Sequence, residues 1–331
     1  MAKSTAWYAT ALRQELILRN RAYARGRAHV ESYGAEPVVV YEPEDERHGN
    51  FFDAAYTAIR ARPEWIRRFD KIHAQAARAL PKPRLNPARR WRELDSSMSS
   101  DALLMNIFCT PGVAESAAVR NALGVEDGAK PIFGWKARVP LANGRFDRTE
   151  IDLRFGSLLV EAKLTEVGFQ TREARIVEGY RDLDRVFERE RLPRAEIATS
   201  RWMRASEFPE NDSQEFESLV GDPELFTPID AGFRPPGEAG YESYQLIRNV
   251  LAAEATGCSF CVLFDERRPD LREEWFEVMA AVRSAELRVR LKVMTWQELA
   301  ALVPNALQEF LNQKYGIVPP GTVPWPIPEE F

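Results

Sequence analysis

Cysteine and histidine are scarce in this 331-residue chain, with three of each. Three cysteines supply no disulfide framework. Cys258 and Cys261 have C-x-x-C spacing, but they sit in "CSFCVLF", which reads as a buried strand. A structural zinc site would want a second ligand pair, and Cys109 with the scattered His29, His48 and His73 does not offer one. Long apolar runs are also missing. None approaches the ~20 residues of a membrane span, and "MAKSTAWYATALRQELILRNRAY" has no unbroken apolar core of a signal peptide. The expectation is a cytoplasmic protein with reduced thiols and no membrane partner. No G-x-S-x-G elbow, P-loop or helix-opening G-x-G-x-x-G occurs. Serine and cysteine nucleophiles and a nucleotide-driven motor therefore have no basis. No internal repeat is visible.

What is present is ordinary globular material: 45% hydrophobic and 29% charged residues. The length suits one large domain with an accessory piece. Net charge is -5, so the whole chain does not advertise a nucleic-acid partner, but charge is unevenly spread. Arg60 to Asp95 holds eleven Lys/Arg against four acids, a local +7, with Trp65, Phe69 and Trp91 among them. Basic residues neutralise phosphates and tryptophans stack on bases, so this stretch reads equally as a nucleic-acid face or as a solvated arginine-rich helix.

The helical patterns fall in a definite order. Residues 1–30 read as one helix and 50–80 as one or two more. "ALPKPRLNPARRW" (79–91) reads as a proline-punctuated linker. "LDSSMSSDALLMNIF" carries a helix-start signal, and a further helix ends at Gly124. Strand patterns follow at 131–141, 148–155 and 157–164. After them come a helix at 171–190, an acidic insertion at about 191–240, and a helix at 241–256. A strand at 259–265, a helix at 271–284, a strand at 288–296 and a helix at 297–316 complete the order. The tail 317–331 is proline-rich and cannot continue a helix. Three consecutive strands followed by helix-separated strands imply a mixed sheet with helices on both faces, an α/β fold.

One stretch places charge inside its strands: "RTEIDLRFGSLLVEAKLTE", Arg148 to Glu166. Gly156-Ser157 reads as a two-residue turn of a hairpin. Phe155 then faces Leu158, Asp152 faces Glu161, and Glu150 faces Lys163. Alternation puts Glu150, Asp152, Arg154, Leu159, Glu161 and Lys163 on one face. Ile151, Leu153, Phe155, Leu158, Val160, Ala162 and Leu164 form the apolar other. Facing carboxylates repel unless they share a proton or a cation joins them. A hard divalent ion such as Mg²⁺ suits such a pair, with a lysine beside it to orient water or offset developing charge. The plainer reading is a solvated sheet face with a Glu–Lys cross-strand pair.

Asp152, eight residues, then Glu161-Ala162-Lys163 resembles the signature of the PD-(D/E)XK nuclease superfamily. The order of helix, three-strand meander, helix and strand is similar to that superfamily's α-β-β-β-α-β core, the restriction-endonuclease-like fold. With "SSDALLMNIF", "YQLIRN" and the closing "KYG", the likeness to a little-characterised bacterial branch spans about residues 96–316. Residues 1–95 form a basic helical region and linker outside it. The proline that often precedes the first acid is absent; Glu150-Ile151 stands there. The resemblance implies that Asp152 and Glu161, with the Ala162 carbonyl, hold Mg²⁺, for which Mn²⁺ would substitute. It implies that Lys163 positions the attacking water and that Gln245 neighbours the site from a helix. Glu115, with Glu93 behind it, is the candidate for a further acid. Asn106 is expected to brace buried backbone. The implied function is metal-dependent hydrolysis of DNA. The alternative is an inactive nuclease-like scaffold that still binds nucleic acid, against which stands the intact Asp152, Glu161 and Lys163 set. Cutting both strands would favour a homodimer.

Overall fold

The computed structural model describes residues 5–32, 37–71, 92–197 and 238–327. The linker expected at 79–91 and most of the acidic insertion lie outside them. The helices that position the site are α1 (Thr5–Tyr23), α2 (Asp53–Arg60), α3 (Ser100–Phe108), α4 (Ala117–Leu123), α5 (Tyr244–Thr256), α6 (Pro269–Ala281), α7 (Trp296–Ala300) and α8 (Asn305–Tyr315). Five strands form the central sheet: β1 (Pro131–Lys136), β2 (Glu150–Phe155), β3 (Leu158–Ala162), β4 (Ser259–Phe264) and β5 (Leu291–Thr295).

The sheet order is β5-β4-β3-β2-β1. The first three strands pair antiparallel as a meander. β4 then joins β3 in parallel and β5 joins β4 in parallel. A parallel connection needs a crossover, and α5 supplies it between β3 and β4. This is the mixed α/β sheet expected from the sequence. Gly156 opens the β2–β3 turn at φ 59°, a backbone region that side-chain-bearing residues avoid.

β3 is buried along its whole length, because both sheet faces are covered. One core packs α1, α3 and α8 against Leu153, Phe155, Leu158, Val160 and Ala162. The other packs α5 and α6 against Leu159, Phe260, Val262 and Phe264. The charged face of the hairpin is therefore not a solvated face, and Leu159 on it is fully buried. Ile151 departs from the expected apolar face and joins the second core. Pairing of β2 with β3 ends at Leu153, and from there β2 continues beside β1 alone.

Several expectations differ. The helix expected over 1–30 ends at Tyr23, and His29–Glu31 instead pairs as a strand with Val39–Tyr41. The helix expected at 171–190 is broken into the single turns Ala174–Val177 and Leu183–Val186. Gly179 interrupts it, and Arg172–Glu173 is drawn into a small sheet with Gly240–Tyr241. The closing helix is split into α7 and α8 around Pro304, which offers no N–H and disfavours helical backbone before it. Trp65, expected as a possible base-stacking group, is buried with Phe69 in a third small core that includes Phe51, Tyr56 and Ile59; Trp91 lies outside the described residues. Their ring surface is worth more against other rings than in water. After α2 the chain makes a turn at Pro63–Ile66 and a 3₁₀ turn at Arg67–Asp70. The Glu93 N–H donates to the Lys71 carbonyl at 2.9 Å.

Candidate functional site

The β2–β3 ladder pairs Phe155 with Leu158, Arg154 with Leu159 and Leu153 with Val160, the register set by the turn. Beyond it the Asp152 side chain replaces the backbone partner: Oδ2 accepts the Ala162 N–H at 2.8 Å. Lys163 follows at the end of β3. Its N–H donates to the Leu263 carbonyl of β4 at 2.8 Å, and its own carbonyl accepts the Trp296 indole N–H at 2.9 Å. The backbone of "EAK" is thus fixed from two sides.

The side chains of Glu161 and Lys163 are both buried. Lys163 Nζ donates to Glu161 Oε1 at 2.7 Å and to Gln245 Oε1 at 2.9 Å. Asn249 Nδ2 donates to Glu161 Oε2 at 2.8 Å. Gln245 and Asn249 are one turn apart on α5, so both face the site. The start of α5 is docked on the turn after β3, where the Tyr244 and Gln245 N–H groups donate to the carbonyls of Gln170 and Phe169 at 2.9 Å.

A second charged group flanks Asp152. Arg68, from the 3₁₀ turn, forks between Asp101 Oδ2 (2.7 Å) and Glu150 Oε1 (3.0 Å). Lys71 reaches the same two oxygens at 3.3 and 3.4 Å. Asp101 lies in the first turn of α3, whose N-cap is Ser99. Between the paired residues Phe133–Leu153 and Trp135–Ile151, Gly134 of β1 stands opposite Asp152. Gly134 has φ 61°, and a Cβ there would fall 1.9 Å from Arg68 Nη1.

These environments separate the charge states. Burial and the facing Glu161 and Asp101 charges raise the Asp152 carboxyl well above the usual aspartate range, against Lys163 and the Ala162 N–H. Burial would lower the Lys163 ammonium, but Glu161, Glu166 and Asp152 more than reverse that, and it stays charged. Burial acts to raise Asp101, yet Lys71 and Arg68 hold it below the ordinary value. Glu93, half-buried near Asp101, is pushed up to about 7, chiefly by desolvation and by the Asp101 charge.

Among the described residues, no three His, Cys, Asp or Glu side chains group closely enough to cage a metal alone. A hard divalent ion does not need such a cage; it takes one or two carboxylates and keeps its waters. Asp152 and Glu161 suit that. Two adjacent carboxylates, one driven toward its protonated form by burial and by the other's charge, are relieved by a cation. Asn249 Oδ1 is also buried without a hydrogen-bond partner, so acceptor capacity remains beside Glu161. Asp101 is already committed to Arg68 and Lys71.

A family model described as "Restriction Endonuclease associating with ARP" matches residues 18–316. The chain belongs to this family. No curated protein and no solved structure matches the chain.

In this restriction-endonuclease-like family member, the residues singled out from sequence divide clearly. Asp152, Glu161, Ala162, Lys163 and Gln245 come together in one site. Glu115 is exposed and takes no part in these contacts. Glu93 is half-buried, within reach of the charges of Asp101, Lys71 and Glu166. Glu150 does not tether Lys163; Arg68 and Lys71 hold it instead. Asn106 braces buried backbone, accepting the Phe52 N–H at 2.7 Å and donating to Asn50 and Ala102 carbonyls. Sequence reasoning missed Asn249, Asp101 and Arg68. Asn249 could have been found from its spacing of four residues from Gln245. Asp101 could have been found as the buried acid of an otherwise apolar helix, and Arg68 carried no local signal.

Proposed function

We propose that the protein is a metal-dependent nuclease of the PD-(D/E)XK type that hydrolyses DNA phosphodiester bonds. The observation that carries this reading is the Lys163 ammonium, held between Glu161 Oε1 and Gln245 Oε1 beside the Asp152 carboxyl. Asp152 and Glu161, with the Ala162 carbonyl, would hold Mg²⁺, and Mn²⁺ would substitute. When bound, the ion supplies charge stabilisation at the phosphoryl oxygens and a more acidic water.

The chain's own residues do the rest. Asn249 and Lys163 orient the two oxygens of Glu161. Gln245 fixes Lys163 from the opposite side, so the ammonium has a defined direction. One of its three N–H donors is then left to hold a water nucleophile. Trp296 locks the Lys163 backbone and limits drift of the whole group. Preorganised donors of this kind are worth about 100-fold or more in rate.

The test is incubation of the purified chain with DNA and Mg²⁺ or Mn²⁺. Wild type should cleave, and chelation should stop it. Lys163→Ala, checked for folding by circular dichroism, should lose at least about 100-fold. Equal behaviour of the two proteins would leave an inactive, nucleic-acid-binding scaffold as the reading.

A further inference from the structure

The Arg68–Lys71 group lies outside the strand–turn–strand motif, yet three separate features of the chain build it into the site. Arg68 lies in a single 3₁₀ turn and Lys71 directly follows it. Asp101 and Glu150, from α3 and β2, receive both cations. Gly134, directly across from Asp152, leaves open the space that the Arg68 guanidinium fills.

Two cations and two carboxylates cancel, so this half of the site does not repel a polyanion as bare Asp101 and Glu150 would. The two cations differ in commitment. Arg68 is 11% exposed, with contacts as short as 2.7 Å, so its guanidinium is spent on the two carboxylates. Lys71 is 34% exposed and its contacts are 3.3 and 3.4 Å, long for charge-assisted bonds. An ammonium has three donors, and two weak contacts leave it able to take another oxygen. The other charges around Lys71 are Glu93 and Arg68.

Resting on the nuclease reading above, we propose that Lys71 binds a backbone phosphate of the nucleic acid beside Asp152, while Arg68 stays paired with Asp101 and Glu150. Phosphate contacts fix the register of a strand and carry no sequence information. A lysine acts there as a point charge without demanding one phosphate orientation. The contact would seat the strand relative to Lys163 and Glu161.

The test measures binding of a short DNA duplex in Mg²⁺ across a range of salt, in the full chain carrying Lys163→Ala so that cleavage does not interfere. Adding Lys71→Gln should weaken binding about fivefold and reduce the slope of log affinity against log salt by about 0.9, one phosphate contact. Lys71→Arg should restore most of the binding, which separates the role of charge from a folding defect. Arg288→Gln, an exposed cation before the far end of β5, should change neither quantity. Unchanged affinity and slope for Lys71→Gln would overturn the proposal, as would tighter binding, the mark of a cation that blocks the site. If wild type cleaves and Lys71→Gln matches it in binding and cleavage, only this proposal fails. If binding depends on Lys71 but wild type cleaves with neither metal, the hydrolytic reading fails and the contact stands. If no duplex binds, both fall.

Discussion

Gly134 and Arg68 share one space. A Cβ on the glycine would lie 1.9 Å from Nη1 of the arginine, on the strand position facing Asp152. The N-terminal region thus inserts a cation into the sheet through a side chain that is missing. Gly134→Ala should destabilise the protein by about 1–3 kcal/mol, because it combines left-handed backbone with a steric conflict. In the Arg68→Ala background the same change should cost less, since only the backbone strain remains. A double-mutant cycle by denaturant unfolding reads the coupling. Additive costs would mean that the guanidinium does not occupy that space.

Asn249 tests the second support of Glu161. Asn249→Ala should cost about 1.5–3 kcal/mol, the worth of a buried hydrogen bond to a charged group. It should also lower cleavage, because Glu161 Oε2 loses its direction. Asn249→Asp should do more damage, placing a third carboxylate against Glu161. Thermal melts and cleavage rates on the same samples separate the two effects.

Asp101 sets a limit on acid stability. Lys71 and Arg68 depress its folded value, so it contributes stability above the ordinary aspartate value of about 4 and loses it as pH falls through the depressed one. Asp101→Asn should be less stable than wild type by about 1.5–3 kcal/mol at neutral pH, since it removes the buried carboxylate that accepts from the half-buried Arg68 and Lys71. The gap should close in acid. Urea unfolding at neutral and acidic pH checks this, and a constant gap would contradict it.

Glu93 works in the opposite direction. Its folded value of about 7 lies above the ordinary one of about 4.3. The folded state therefore holds a proton that the unfolded state has lost, and stability declines as pH rises between those values. Glu93→Gln should gain on wild type across that interval and hold a constant advantage above pH 7. Melting temperatures against pH give the comparison.

The hairpin was legible because its information is local. Gly156 fixes the turn, the turn fixes which residues face each other, and period-two alternation assigns the faces. The order of helices and strands followed from apolar periodicity in the same way. What alternation cannot show is cover. The face bearing Asp152 and Glu161 reads as solvated until α5 is laid on it, and Asn249 gains its role only through that packing. Glu150 illustrates the limit well. The turn arithmetic sets it opposite Lys163, yet the ladder stops at Leu153, Glu150 pairs with Lys136 of β1, and its side-chain partners are Arg68 and Lys71, some eighty residues earlier. Trp65 failed for the complementary reason: an aromatic among arginines looks exposed in one dimension, while Phe51, Tyr56 and Phe69 bury it in three. The break at Gly179 was visible as a residue, but the pull of Tyr241 on Arg172 was not.

The bond from the Glu93 amide to the Lys71 carbonyl has a consequence for how the chain can be altered. It ties the backbone of Lys71 to the segment that leads into α3, where Asp101 lies. The spacing of the cation and its carboxylate is therefore gauged by the main chain as well as by their ion pair. A side-chain replacement at Lys71 leaves that main-chain gauge in place.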